Sequence, residues 1–430
     1  MTIRGYCPSA LKPMQTGDGL LVRLKPEGNL LSARQCKALG RLAKTIGNGM
    51  LDVTRRANLQ IRGVQPADYD ALISELRNLD LVDVSAEAEA RRNIILSPFA
   101  GTVGNRLNNQ LASTLSASTL TLPGKFGFAI DTGEQPVLQN ESADIRIERD
   151  TDKGLLVRAD GIQLGIAVTE QNAVTTAIAL AEWFVAVSNV KAASVKRMAA
   201  LIADGELPDG SLQGQYKPAT SRCPPLPGER IDAGLFVAAE FGQISADTLI
   251  SIAPFAPLML TPWRILLLTN PDAGMQHSDK HNWQSVIEQI DDLIIECNDP
   301  RLHVLACVGA PACDSALQPT RPLARELADA MAAKLNTSNT LHVSGCQKGC
   351  ASRDVANLTL VGARDGFDAI TNGNTFAPPS YRALPANVSA ILSRLPETVN
   401  FQAASVGVEK VDLKVDQAVC NQPKSQDAKD

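Results

Sequence analysis

Leu51-Asp52-Val53-Thr54-Arg55-Arg56-Ala57-Asn58-Leu59-Gln60-Ile61-Arg62-Gly63-Val64 alternates apolar and polar residues with a period of two, broken only at Arg55. In an extended chain successive side chains point to opposite faces. The pattern therefore predicts one long strand from Leu51 to Val64, with Asp52, Thr54, Arg56, Asn58, Gln60 and Arg62 on one side. A solvated outer face is one reading of such alternation. Thr, Asn and Gln suit hydrogen bonding to a ligand better than plain solvation does.

Working outward, Gly19 to Lys25 reads as a strand ended by Pro26-Glu27-Gly28. Ser32 caps a helical pattern from Ala33 to about Ile46, and Gly47-Asn48-Gly49 stops it. The same plan returns about 215 residues later. Gly234 to Ala239 is a strand, Ser245 caps a helix from Ala246 to Ala253, and Leu258 to Leu268 is strand-like. Thr261-Pro262-Trp263-Arg264 falls where Thr54-Arg55-Arg56 fell, but most of the polar face is gone. The chain reads as a divergent duplication in which the first copy keeps the ligand-facing residues.

The chain has 430 residues, 41 Lys+Arg against 46 Asp+Glu, and a formal charge of -5. A nucleic-acid binder usually carries a basic excess, so that class is disfavoured. The longest apolar candidate, Thr175 to Val190, is interrupted by Glu182 and reads as too short to span a bilayer. Met1 to Cys7 contains no apolar leader. The expectation is a cytoplasmic protein with no membrane partner, in which cysteines are thiols or metal ligands rather than disulfides.

Four of the nine cysteines are grouped: Cys307-x5-Cys313 and Cys346-x3-Cys350, on loops rich in Gly, Ala and Pro. Small residues let a backbone approach thiolates and donate N–H bonds to sulfur, as iron–sulfur clusters require. Structural zinc competes, but its paired ligands are usually two to four residues apart, and x5 fits poorly. Cys7, Cys36, Cys223, Cys297 and Cys420 are scattered. His277 and His281 flank Asp279 in a polar stretch that reads better as a solvated loop than as an iron site. No G-x-G-x-x-G or P-loop is present, so no nicotinamide cofactor is expected to bind this chain.

Cys307-x5-Cys313 together with Ser344-Gly345-Cys346-Gln347-Lys348-Gly349-Cys350-Ala351 resembles the cluster signature of the sulfite and nitrite reductase family. The resemblance spans about residues 15 to 400. It implies an α+β fold with two ferredoxin-like half-domains interleaved with two α/β modules. The implied units are 15–80 and 229–297 for the halves, 85–213 for a tetrapyrrole-binding module and 300–400 for a cluster-binding module. A Pro-rich linker at 214–228 and a flexible tail at 403–430 complete the chain. The resemblance further implies a [4Fe–4S] cluster on Cys307, Cys313, Cys346 and Cys350.

Thr54 to Gln60 resembles the family's T-T-R-x-x-x-Q strand, which places Arg56 on tetrapyrrole carboxylates with Thr54, Asn58 and Gln60 beside it. Arg23 and Lys25 stand where the family has R-x-R, and Arg92-Asn93 resembles its R-N element. Leu122-Pro123-Gly124-Lys125-Phe126-Gly127 resembles L-P-R-K-F-K, so Lys125 keeps the first lysine and Gly127 replaces the second. Arg62 completes the candidate substrate set. The Gly127 departure counts against sulfite or nitrite chemistry. The surrounding residues resemble a branch of the family acting in aerobic cobalamin biosynthesis. That branch implies an oxidoreductase that uses O2 to hydroxylate precorrin-3A at C20 with γ-lactone formation. It further implies a [4Fe–4S] centre, an additional non-haem iron, and electrons from a separate NADH-dependent reductase or small redox protein. A siroheme-dependent sulfite or nitrite reductase is the alternative, and siroheme belongs to that reading alone.

Overall fold

The computed structural model describes residues 8–190, 195–255, 257–269, 287, 289–336 and 339–394. The stretch 51–64 is a hairpin rather than one strand. Met50–Val53 and Leu59–Val64 pair antiparallel, with Leu51 opposite Ile61 and Asp52 opposite Gln60. Residues 54–58 turn between them: Thr54 N–H donates to Asn58 O at 2.9 Å, and Ala57 takes a φ of 52°. The loop has an odd number of residues, so odd positions pair with odd positions. A hairpin of that kind preserves the alternation that a single strand would show, and the period conceals the turn.

The second copy repeats this plan. Leu258–Leu260 and Ile265–Thr269 form its hairpin, and Arg264 takes the left-handed turn conformation, φ 64°, that Ala57 takes in the first. Each copy lends the other a strand. Leu30–Leu31 pairs with Leu258 and Met259 in the second sheet, while Gln243–Ser245 pairs with Met50–Asp52 in the first. Both strands run directly into capped helices. Ser32 and Gln35 form a reciprocal capping box on Ala33–Thr45, and Ser245 Oγ accepts from Thr248 N–H on Ala246–Ser251. These two helices pack together, and a single core joins Val22, Leu24, Leu59 and Ile61 to Leu235, Val237, Leu266 and Leu268.

The outer face of the second sheet explains its lost polarity. Phe236, Ala238, Met259 and Leu267 are buried against the core of the module between the copies. That module is a mixed sheet in which Ile94–Leu96, Phe128–Asp131 and Ile145–Arg149 run parallel, followed by antiparallel Leu155–Ala159 and Ile166–Val168. The final module has the same order: Val304–Ala306, Leu341–Ser344 and Ala356–Ala363 parallel, then Gly366–Gly373 and Tyr381–Leu384 antiparallel. In such sheets ligands gather beyond the C-terminal ends of the parallel strands, where Ser97 and Cys307 begin the corresponding loops.

Helix Glu170–Val190 corrects the length estimated for the apolar run. With 21 residues it is long and apolar enough to span a bilayer. Ala173, Ala177, Leu180, Ala181 and Phe184 are buried, and the helix packs on the 145–149 and 155–159 strands. It is the core helix of the first module. Residues 214–228 run along the same module, with Gly165 bridging to Tyr216 and the Arg222 guanidinium 4.4 Å from the Phe99 ring centroid. Cys297 is disulfide-bonded, which overturns the expectation of thiols or metal ligands alone. His277, His281 and the 403–430 tail lie outside the described residues.

Candidate functional site

Two regions of polar residues lie where the half-domains contact the modules. The first is a cleft lined by Arg56 and Asn58 from the 54–58 turn and by Asn93, Gly127 and Ser142 from the first module. Thr54 shapes the turn, its Oγ1 accepting from the Arg56 and Asn58 amides at 3.2 Å each. Arg56 Nη2 donates to Lys125 O at 2.9 Å, which holds its guanidinium at the rim. Lys125 itself is exposed beside this rim. Gly127 contributes backbone, its N–H donating to Asp144 Oδ2 at 2.9 Å. A Cβ there would stand 3.2 Å from Asn93 O, so a lysine at this position would crowd the cleft wall.

The remaining candidates from the first half sit elsewhere. Lys25 is buried, with Nζ donating to Glu89 O at 2.6 Å and Asn93 Oδ1 at 2.7 Å. Desolvation lowers its pKa to about 8. Arg92 makes a fork with Asp83 at 2.7 and 2.8 Å and also donates to Lys25 O. Both are internal supports of the cleft wall; neither is among its lining residues. Arg23 lies opposite Gln60 across the sheet, and with the Gln60 amide oriented to accept, Arg23 reaches it at 2.7 and 3.1 Å.

Asp52 and Arg62, on the same polar face, reach the final module instead. Arg62 Nη2 donates to Ala312 O at 2.7 Å, one residue before Cys313. Asp52 Oδ1 accepts from Arg321 Nη2 at 2.5 Å. The sequence pattern missed Arg264 and Arg321. Arg264 Nη2 approaches Ala351 O at 3.4 Å, one residue after Cys350. Arg264 stands at the same turn position as Ala57, as the alignment of Thr261 with Thr54 implies, but that alignment assigned it no role.

The second region is the pair of cysteine loops. Cys307 follows strand 304–306, and Cys346 lies two residues beyond strand 341–344. Gly345 N–H donates to Cys307 Sγ at 3.1 Å. A Cβ on Gly345 would meet Ala316 Cβ at 2.6 Å and Gly309 Cα at 3.3 Å, so glycine is needed for the loops to close on each other. Burial pushes the Cys350 thiol pKa up, and the charges of Cys307, Cys346 and Cys313 push it further. The four sulfurs therefore share one neighbourhood. Among the described residues no three His, Cys, Asp or Glu side chains close around a single ion.

Residues 12–79 match the family described as the nitrite/sulfite reductase ferredoxin-like half domain. The chain shares the sulfite/nitrite reductase-like fold, and its first half-domain matches that family's model. A precorrin-3B synthase of Sinorhizobium is 28% identical over 92% of this chain and 89% of its own length. A ferredoxin–nitrite reductase of Synechococcus elongatus is 24% identical over 82% and 78%. The Mycobacterium tuberculosis NirA protein superposes with a TM-score of 0.57 at 17% identity, covering 83% of this chain and 74% of that one, a likeness of fold alone. Within the sulfite/nitrite reductase-like fold, the reciprocal strand exchange and the paired modules are the two repeats of one duplicated architecture.

Proposed function

We propose that this chain catalyses the O2-dependent conversion of precorrin-3A to precorrin-3B, with hydroxylation at C20 and γ-lactone formation involving the ring-A acetate. The observation that carries the reading is the cleft at Arg56, Asn58 and Gly127, set against the near full-length similarity to a precorrin-3B synthase. Arg56 offers a guanidinium to a substrate carboxylate, and Asn58 adds a neutral hydrogen-bonding group. Gly127 leaves open the space that a lysine would take. In the balanced reaction one atom of O2 enters the hydroxyl, and the other leaves as water with two electrons and two protons.

Cys307, Cys313, Cys346 and Cys350 would hold a [4Fe–4S] cluster. When bound, it supplies electrons singly, drawn from a separate NADH-dependent reductase or small redox protein. Arg62 and Arg264 hold the carbonyls flanking Cys313 and Cys350, which fixes the loops against the half-domain sheets. The additional non-haem iron has no ligand set among the described residues.

The competing reading is a siroheme reductase, favoured by the Synechococcus similarity. Anaerobically purified protein distinguishes the two. A broad iron–sulfur shoulder without a Soret band, and 18O from labelled O2 in the product, are the expected results. A siroheme spectrum with sulfide or ammonia formation at reductase-like rates would overturn the proposal.

A further inference from the structure

The cleft has two unlike sides. Arg56, Asn58 and Ser142 form one, and Asn93, Ile94, Ile95 and Gly127 form the other. On the second side the hydrogen-bonding groups of Asn93 and Gly127 are spent within the protein. Asn93 Oδ1 accepts from Lys25 Nζ at 2.7 Å, and its Nδ2 donates to Ala90 O at 2.9 Å and Phe126 O at 3.0 Å. Its backbone N–H donates to Arg91 O, and its carbonyl accepts from the Phe128 N–H. Gly127 N–H donates to Asp144 Oδ2 at 2.9 Å, and its carbonyl accepts from the Asp144 N–H at 2.7 Å. Ile94 and Ile95 pair with Phe128 and Ala129 in the sheet. At the outer edge of that strand, Asn29 Oδ1 accepts from the Leu96 N–H at 2.8 Å and its Nδ2 reaches Ile94 O at 3.5 Å.

The charged groups next to this wall are engaged elsewhere as well. Lys25 Nζ is held by Glu89 O and Asn93 Oδ1. The fully buried Asp144 carboxylate accepts from Arg197 Nε at 2.9 Å and from the Met198 N–H at 2.8 Å, besides Gly127. An anion laid against the wall would give up hydration and gain no donor from Asn93 or Gly127, which is costly. A small neutral, apolar molecule gives up nothing. Hollows of this chemical kind accept apolar guests, xenon among them. Gly127 sets the room available. A Cβ there would stand 3.2 Å from Asn93 O and 3.6 Å from Asn93 Cβ, so even a methyl group crowds the hollow.

We infer that the wall formed by Asn93, Ile94, Ile95 and Gly127 is the seat of O2, facing the carbon that is hydroxylated. The site rests on the O2-dependent reading above and extends it by giving the two substrates opposite sides of one cleft. The charged tetrapyrrole takes the side that carries Arg56. The neutral diatomic takes the side whose polar groups are already paired. Gly127 is then a specificity-determining residue: its missing side chain provides the space, and its paired backbone keeps that space apolar.

The test pairs xenon with oxygen kinetics. A crystal of the wild-type protein pressurised with xenon should hold the gas between Ile95 and Gly127, a measurement that needs no variant to fold. Gly127→Ala should exclude that xenon and raise the KM for O2 about tenfold, with a much smaller change in the KM for precorrin-3A. Ile94 is only partly buried, so Ile94→Thr supplies a second variant that makes the wall polar without adding bulk, and it should raise the same KM. Iron and sulfide content is checked in each protein. An unchanged KM for O2 in both variants overturns the seat, as does a cleft without xenon in the wild type. A rise confined to the KM for precorrin-3A also overturns it, and assigns the wall to the macrocycle. In those cases 18O from labelled O2 in the wild-type product leaves the O2-dependent reading standing. A product without that label overturns the reading itself.

Discussion

Arg62 and Arg264 perform matching tasks from opposite halves of the molecule, each donating to a carbonyl one residue from a loop cysteine, Cys313 or Cys350. Arg56 differs from both because it faces the cleft, and its effect should be on binding. Arg56→Ala removes one charge-assisted partner from a substrate carboxylate, costing about 1.5–3 kcal/mol, a roughly tenfold to hundredfold loss of precorrin-3A affinity. Arg56→Lys should recover only part, because an ammonium cannot make the bidentate contact. The cluster spectrum should be unaltered in both variants; wild-type affinity in Arg56→Ala would place the substrate elsewhere. The cysteines divide as sharply. Cys313→Ser replaces a soft ligand with a hard one and should lose bound iron and sulfide. Cys36 is fully buried, its thiol pKa pushed up to about 12 by burial, and Cys36→Ser should keep the full complement. Undiminished iron and sulfide in Cys313→Ser would show that the ligand assignment is wrong.

At the scale of elements, the repeats and the cysteine loops were legible because their signals are local. Ser32 and Ser245 cap their helices as the sequence indicates. The 51–64 hairpin was hidden because its turn preserved the parity of the alternation. The commitment of Lys25 to Glu89 and Asn93 was hidden because those partners lie 64 and 68 residues away, and that of Arg92 to Asp83, nine residues away, because no local motif links the two. Strand 341–344 carries a consequence that no motif announced. His342 is fully buried, and desolvation together with Arg264 lowers its pKa to about 4 from an ordinary 6.5, against a smaller upward pull from Asp354. The unfolded chain therefore binds a proton first as pH falls. This contribution to stability is complete above about pH 6.5 and is lost as pH drops toward 4. His342→Met removes the titration, so its urea midpoint should fall less between pH 7 and pH 5 than that of the wild type. Equal falls would assign the acid sensitivity to another group.

At the scale of the whole molecule, the exchanged strands make each half incomplete without the other. Gln243–Ser245 belongs in sequence to the second copy, yet it forms the edge of the first sheet, where Ile244 is fully buried opposite Leu51. Leu31, from the first copy, is fully buried opposite Leu258 in the second. The Arg56 turn hangs from the first sheet and the Arg264 turn from the second, so the spacing of the two depends on this exchange. A two-state transition should therefore include both halves. Ile244→Ala opens a cavity in the shared core and should cost about 2–4 kcal/mol. Native-state hydrogen exchange then provides the check. The slowest amides of strand 59–64 and of strand 265–269 should speed up by the same factor, because both exchange through the same global opening. Acceleration confined to one strand would mean that the halves open separately, and that the strand exchange does not couple the two turns.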